Sequence, residues 1–241
     1  MPPSAYLLIS HGSRDPRPQI ALEHLAKLVN SRSPAALVGT AVLELALLPL
    51  HQQIQQFSQT VLAAGYERLQ IVPLFLLPGV HVLEDIPLEV SIAQRALEPY
   101  LTLEICPYLG SHADLWQMLL NPVDAATAAA PVGRIVLAHG SRRPTGNQPV
   151  ETIATHLNAL PAYWSVAPNL ETQVTEWVRR GCQQIAILPY FLFEGGITDA
   201  IEQQVQQLAQ QLPYVKLHLS RPFGATGQLA DRVVELIRAR G

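Results

Sequence analysis

The chain repeats itself, and that limits what it can fold into more than any other feature. Tyr6-Leu-Leu-Ile-Ser-His11-Gly12-Ser13-Arg14 is matched by Ile135-Val-Leu-Ala-His139-Gly140-Ser141-Arg142. Gly65-Tyr-Glu-Arg-Leu-Gln-Ile-Val-Pro73-Leu-Phe75-Leu is matched in order and spacing by Gly181-Cys-Gln-Gln-Ile-Ala-Ile-Leu-Pro189-Tyr-Phe191-Leu. A four-residue identity behind an apolar run, followed by a second aligned segment, marks a tandem duplication. The interval from His to Pro is 62 residues in the first copy and 50 in the second, so the second copy is about a dozen residues shorter there. The alanines and flanking prolines of 122–132 suit a linker. The expected lobes are therefore residues 1–122 and 132–241.

Within each copy, short apolar runs alternate with segments of helical period. In the first, strands are expected near 5–10, 37–44, 69–76 and 102–106, helices near 18–30, 50–64 and 84–98, and a further run near 113–120 closes the copy. In the second, strands are expected near 134–138, 162–166, 184–192 and 215–219, with helices near 148–158, 169–180, 198–211 and 225–239. Alternating β and α means parallel strands joined by right-handed crossovers. The expected fold is α/β: two similar lobes, each a small parallel β-sheet of about four strands flanked by helices, related by pseudo-two-fold symmetry across a cleft at the carboxyl ends of both sheets.

Composition narrows the function. Hydrophobic residues make up 49% and charged residues 15% of the 241, enough apolar material for packed cores and against disorder. The net charge of −3 and the lack of a basic tract argue against a nucleic-acid partner. Two cysteines, Cys106 and Cys182, are too few for a disulfide framework or a cluster built by this chain alone. The stretch 71–83 is broken by Pro73, Pro78 and Gly79 and falls short of a bilayer span. Met-Pro-Pro-Ser lacks the positive start of a signal peptide, so a cytoplasmic protein with no membrane partner is expected. Of the 16 basic residues 14 are Arg, which suits bidentate capture of carboxylates once a site is found.

In an open parallel sheet, ligands bind outside the carboxyl ends of the strands. Three titratable residues fall there: His11 after the first strand, Glu44 at the end of the second, and His81 in the Pro-Gly loop beyond the third. Two imidazoles and a carboxylate meeting at one point suit a divalent first-row metal. Each also has a plainer reading. His11 could close the strand-to-loop turn, with Gly12 supplying a permissive backbone and Ser13 capping the next helix. Glu44 could pair with an arginine, and His81 could be an exposed loop residue. Glu84 and Asp85 would then stabilise a helix N-terminus. The second copy separates these readings, because it keeps His139 but has Ile197 opposite His81 and no carboxylate around Tyr163-Trp164. One site, in the first copy, is the expectation, with His139 a relic or a substrate contact.

The combination of Leu-Ile-Ser-His11-Gly-Ser-Arg14, Leu43-Glu44-Leu-Ala46, Pro73-Leu-Phe-Leu with Gly79-Val-His81 and Asp85-Ile-Pro87, and Pro107-Tyr-Leu-Gly-Ser-His112 resembles the sirohydrochlorin chelatases, class II tetrapyrrole chelatases, in their long tandem form. The resemblance spans both copies. It implies ATP-independent insertion of Fe²⁺ or Co²⁺, as substrate metal with no permanently bound cofactor, into sirohydrochlorin, for siroheme or cobalamin biosynthesis. It makes His11, Glu44 and His81 the metal-handling and catalytic residues. The substrate's carboxylates give Ser13 and Arg14, and with them Arg17, Arg142 and Arg143, a role as contacts. Long members that handle cobalt carry a His-rich tail and cluster cysteines. Neither occurs in this sequence, which favours iron and siroheme. A histidine phosphatase is disfavoured because Ser10, not Arg, precedes His11. A nucleotide-driven chelatase subunit is disfavoured by the lack of a P-loop. A metal carrier or tetrapyrrole-binding protein using the same three residues without turnover is the remaining alternative.

Overall fold

The computed structural model describes residues 5–120, 133–143 and 145–239. The expected linker 122–132 and the Met1–Ser4 start lie outside the described residues. Each copy builds a four-stranded parallel sheet. The first has β1 (Ala5–Ser10), β2 (Leu37–Val42), β3 (Arg68–Pro73) and β4 (Thr102–Ile105) in the order β2-β1-β3-β4. The second has β5 (Gly133–Ala138), β6 (Leu160–Tyr163), β7 (Gln184–Pro189) and β8 (Lys216–Leu219) in the matching order β6-β5-β7-β8. The expected α/β class, with two small parallel sheets flanked by helices, is what the chain forms.

The central strands read as continuous apolar runs because both faces are covered. All six residues of β1 are buried. Ala5, Leu7 and Ile9 pack with Leu50 and Ile54 of α2 (Leu50–Ala63) and Ile86, Val90 and Ala93 of α3 (Ile86–Leu97). The alternate residues face the other side, which α1 (Pro16–Arg32) covers. In the second sheet Ile135 and Leu137 pack with Leu170 and Val174 of α5 (Leu170–Arg179) and Ile201 and Val205 of α6 (Gly196–Gln211), while α4 (Gln148–His156) lies against β5 and β6.

Local chemistry moved some boundaries. Strand β6 lies at 160–163 rather than 162–166: the amides of Trp164 and Ser165 still donate to the Ala138 and His139 carbonyls, but the amide of Tyr163 donates to the Pro168 carbonyl and turns the chain back. The run at 113–120 forms 3₁₀ turns, and its Trp116 ring stacks on His156 of α4 at 5.6 Å. Asp15, not Ser13, caps α1, accepting from the Arg17 amide at 3.0 Å, and Ser13 Oγ accepts from the Asp15 amide.

Packing divides the chain differently from the repeat. One compact unit comprises 1–115 with 225–241, and the other comprises 116–224. The last helix, α7 (Gly227–Arg238), belongs to the second copy by sequence but packs on α1 and β3 of the first sheet. It buries Leu229, Ala230, Val233, Val234, Leu236 and Ile237. Polar ties add to this. Arg32 at the end of α1 donates to the Gly227 carbonyl at 2.8 Å and pairs with Asp231, and His112 meets Glu235 at 2.8 Å.

The guanidinium of Arg232, and then His112, hold the Glu235 carboxyl below its usual range. A lowered folded-state value contributes stability above the ordinary carboxylate range of about 4.3 and loses it as the pH falls through the folded-state value. Glu235 is half exposed, so the contribution stays within about 1 kcal/mol. Thermal unfolding of wild type and Glu235→Gln should differ by a small amount at pH 7, and that gap should close as the pH is taken below about 4. A gap that persists in acid would show that the ion pairs are not its source.

Candidate metal centre

Three loops of the first unit bring His11, Glu44 and His81 together. The chain leaves β1 at Ser10 and turns at once through Gly12, whose φ of +99° is open to glycine and costly for other residues. A Cβ at Gly12 would sit 2.0 Å from the Glu44 carbonyl oxygen. That close backbone approach allows the amide of Glu44 to donate to the His11 carbonyl at 2.9 Å, one step past the Leu43 amide to Ser10 bond. The β1–β2 ladder is thus extended two residues beyond Val42, and Glu44 ends up beside His11. His81 arrives from the opposite flank of β1, where the loop after β3 enters a π-turn, His81–Asp85, that leads directly into α3.

The ligand atoms of these three residues lie within 4.8 Å of one another, the one such group of three or more His, Cys, Asp or Glu among the described residues. Metal–N and metal–O bonds of about 2.0–2.2 Å keep two donors on one ion within about 4.4 Å, so a small rotation of the side chains closes the set. His11 Nε2 is 3.9 Å from a Glu44 carboxylate oxygen, too far for a hydrogen bond and suited to a shared ion. The two imidazoles meet edge to face, centroids 4.9 Å apart. The side chains of His11 and Glu44 are about half exposed, at 51% and 49%, and that of His81 is 32% exposed. Such openness leaves coordination positions for another ligand. Glu44 is half exposed and meets no arginine among the described residues, which removes the plainer reading of it as half of a structural ion pair.

Other expectations fare unevenly. Arg14 is exposed and makes no hydrogen bond or ion pair among the described residues, and the same holds for Arg142 in the second copy. Arg17 is committed to Asp15 at 2.5 Å, and the hydrogen bond from Arg17 holds the Asp15 carboxyl below its usual range. Ser13 Oγ is occupied by the Asp15 amide. Asp85 stands at the start of α3 but makes no side-chain cap bond, since its carboxylate is 2.7 Å from His81 Nδ1. Sequence reasoning gave Asp85 to the helix and missed this contact, although the i to i+4 spacing was available as a signal. It also missed Phe75, whose ring lies 6.4 Å from that of His11 and 6.0 Å from that of His81 and forms an apolar wall.

The second unit repeats the turn without the group. His139 Nδ1 contacts the Gly140 carbonyl at 3.1 Å as His11 Nδ1 contacts that of Gly12 at 3.2 Å. The amide of Ser165 donates to the His139 carbonyl at 2.9 Å, so Ser165 occupies the place of Glu44. In the alignment of the two copies Ile197 takes the position of His81. Nearby Tyr163 offers no anionic oxygen, since burial, aided by Glu151, pushes its hydroxyl up to about 12.

Three comparisons bear on this arrangement. The chain is 26% identical to the sirohydrochlorin cobaltochelatase of Priestia megaterium over 90% of its own length and 74% of the relative's. It is 27% identical to the sirohydrochlorin ferrochelatase of Bacillus subtilis over 88% and 83% of the two chains. The solved structure of SirB from Bacillus subtilis with Fe³⁺ superposes with a TM-score of 0.77 at 22% identity, covering 98% of this chain and 94% of that one, and shares its fold. The CbiX family model matches residues 5–126 and again 133–240, once over each copy of the repeat, and the chain therefore belongs to the CbiX family.

Proposed function

We propose that this protein is a sirohydrochlorin chelatase that inserts Fe²⁺, ahead of Co²⁺, into sirohydrochlorin without ATP, in the cytoplasm and for siroheme synthesis. The observation that carries the reading is the solvent-accessible group of His11, Glu44 and His81, with ligand atoms within 4.8 Å. Two imidazoles and one carboxylate with open positions form a ligand set suited to Fe²⁺. Membership of the CbiX family and relatives named as ferrochelatase and cobaltochelatase support the same chemistry.

Insertion exchanges one M²⁺ for two pyrrole N–H protons. The ion must shed its waters without being trapped, and the protons must find a base. His11, Glu44 and His81 replace part of the ion's hydration shell, while their exposure lets the macrocycle supply the competing nitrogens. As the ion passes to the ring, the vacated imidazole nitrogens become available to accept the protons, which neutral histidine does near pH 7. Phe75 offers an apolar surface beside the imidazoles, and the exposed Arg14 is the proposed partner of a substrate carboxylate.

The test is metallation by the purified protein, anaerobically, with sirohydrochlorin and Fe²⁺ or Co²⁺ and no nucleotide, followed by the change in the macrocycle's absorption. Turnover beyond one equivalent supports a chelatase. Binding of metal or macrocycle without turnover would make the protein a carrier. In competition at equal free metal, Fe²⁺ is expected to be inserted first, and preferential use of Co²⁺ would move the assignment to cobalamin synthesis.

A further inference from the structure

We propose that Asp85 is the positioning residue of this centre, accepting a hydrogen bond from His81 Nδ1–H so that the Nε2 lone pair of His81 is turned toward His11 and Glu44. The inference rests on the reading of these three residues as metal ligands and adds a residue that sets one of them.

A carboxylate can only accept. With Asp85 Oδ2 at 2.7 Å from His81 Nδ1, the proton of the neutral ring sits on Nδ1 and Nε2 is left bare. His11 reaches the same state by another route, since its Nδ1 faces a carbonyl oxygen, that of Gly12, at 3.2 Å. Both rings thus offer Nε2. The two contacts differ in strength. The Gly12 carbonyl is a neutral acceptor at a long distance, whereas Asp85 is a charged acceptor at a short one, and charge-assisted hydrogen bonds are roughly twice as strong. An outer carboxylate also makes the imidazole a better donor to a cation, and removing such a partner costs metal sites about 10- to 100-fold in affinity.

The backbone around this contact is built for it. In both copies the helix after the third strand buries residues at the same spacing, Ile86, Val90 and Ala93 in the first and Ile201, Val205 and Leu208 in the second. From Pro73 to Ile86 the first copy advances 13 residues, while from Pro189 to Ile201 the second advances 12. The first copy holds one residue more, and it is there that the chain forms its π-turn, with the amide of Ile86 donating to the His81 carbonyl. Single π-turns of this kind are concentrated at functional sites. The extra residue occurs in the copy that has the metal group and is lacking in the copy where Ile197 replaces histidine. It sets His81 and Asp85 in contact without moving the buried stripe of α3.

Two measurements on the metal-free and Co²⁺-titrated protein test this. In ¹⁵N-histidine spectra at a pH where the ring is neutral, His81 of wild type should show a protonated Nδ1 and a bare Nε2. In Asp85→Ala it should shift toward the Nε2–H form that imidazole favours in water. Co²⁺ affinity, read from the visible absorption of the bound ion without macrocycle, should fall about 10- to 100-fold in Asp85→Ala. Asp85→Glu, which keeps a carboxylate, should retain the wild-type tautomer and most of the affinity. Asp85→Asn has the same shape and is the variant to read if alanine disturbs the π-turn. Its amide offers donor or acceptor, so the tautomer should become mixed and the affinity should drop. His81→Ala separates the two levels of inference. If it binds Co²⁺ as wild type does, the metal-centre reading fails. If it loses Co²⁺ while Asp85→Ala keeps both affinity and tautomer, the role of Asp85 is overturned and the centre stands.

Discussion

Alanine at His11 or His81 is expected to lower the rate of metal insertion by at least about 10²-fold, the scale lost when a positioned proton acceptor is removed. The melting temperature should stay close to that of wild type. Neither side chain belongs to a packed core, His11 being half exposed and His81 partly exposed, so each replacement should cost no more than about 1 kcal/mol of stability. Glu44→Gln keeps the shape and removes the charge, so Co²⁺ affinity should weaken while the fold is unchanged. The informative partner is His139→Ala. His139 shares its turn geometry with His11, but Ser165 takes the place of Glu44 beside it and the metal group forms only around His11 among the described residues, so its loss should leave most of the activity. Steady-state metallation with thermal melts of the four variants decides the matter. Equal damage from His139→Ala would mean that the second copy takes part in the chemistry, and unfolding of the His11 or His81 variants would return those residues to a structural role.

Removing residues 225–241 should have a larger effect on stability than any single change. Helix α7 packs on α1 and β3 of the first unit with six buried apolar side chains. At about 1.5–3 kcal/mol for each large aliphatic, this is on the order of 10 kcal/mol, comparable with the ~5–15 kcal/mol net stability of a whole domain. The truncated chain is expected to lose the cooperative unfolding of the first unit, to expose the parts of α1 and β3 that α7 covers, and to lose Co²⁺ binding along with it. Near-ultraviolet circular dichroism and binding of a hydrophobic dye would register this. A truncated protein that melts and binds Co²⁺ like the full chain would show that α7 is dispensable to the first unit.

The contrast between these two regions explains what could be read in advance. β1 and β5 were legible because a parallel strand buried on both faces must be apolar throughout, and the His-Gly-Ser-Arg identity fixed their equivalence. His11, Glu44 and His81 were legible because residues just past strand ends in such a sheet converge. Asp85 was not, since its partner depends on a π-turn, and one extra residue is visible only when the buried stripes of the two copies are aligned. The destination of α7 was also hidden. The spacing of Leu229, Val233 and Ile237 says that one face is buried, but an amphipathic helix carries no mark of which sheet it will cover. Repeat membership pointed to the second, and packing chose the first. Ser13 was misjudged for a smaller reason, because Asp15 two residues on offers a carboxylate at the position where α1 begins.

That packing has a consequence during synthesis. The chain leaves the first unit after Leu115 and returns to it at Ala225, so the unit begun first on the ribosome is the one finished last. Everything needed for the second unit has been made by Gly224, whereas the sheet that carries His11, Glu44 and His81 waits for its closing helix while more than a hundred further residues are added. At about 5–20 residues per second, the wait lasts several seconds or more. A nascent chain or an early-terminated product would therefore present the three side chains on an unfinished scaffold. The first unit is therefore expected to become competent only once residues 225–241 have been made, and fragments that stop short of them are expected to be cleared as unfolded protein.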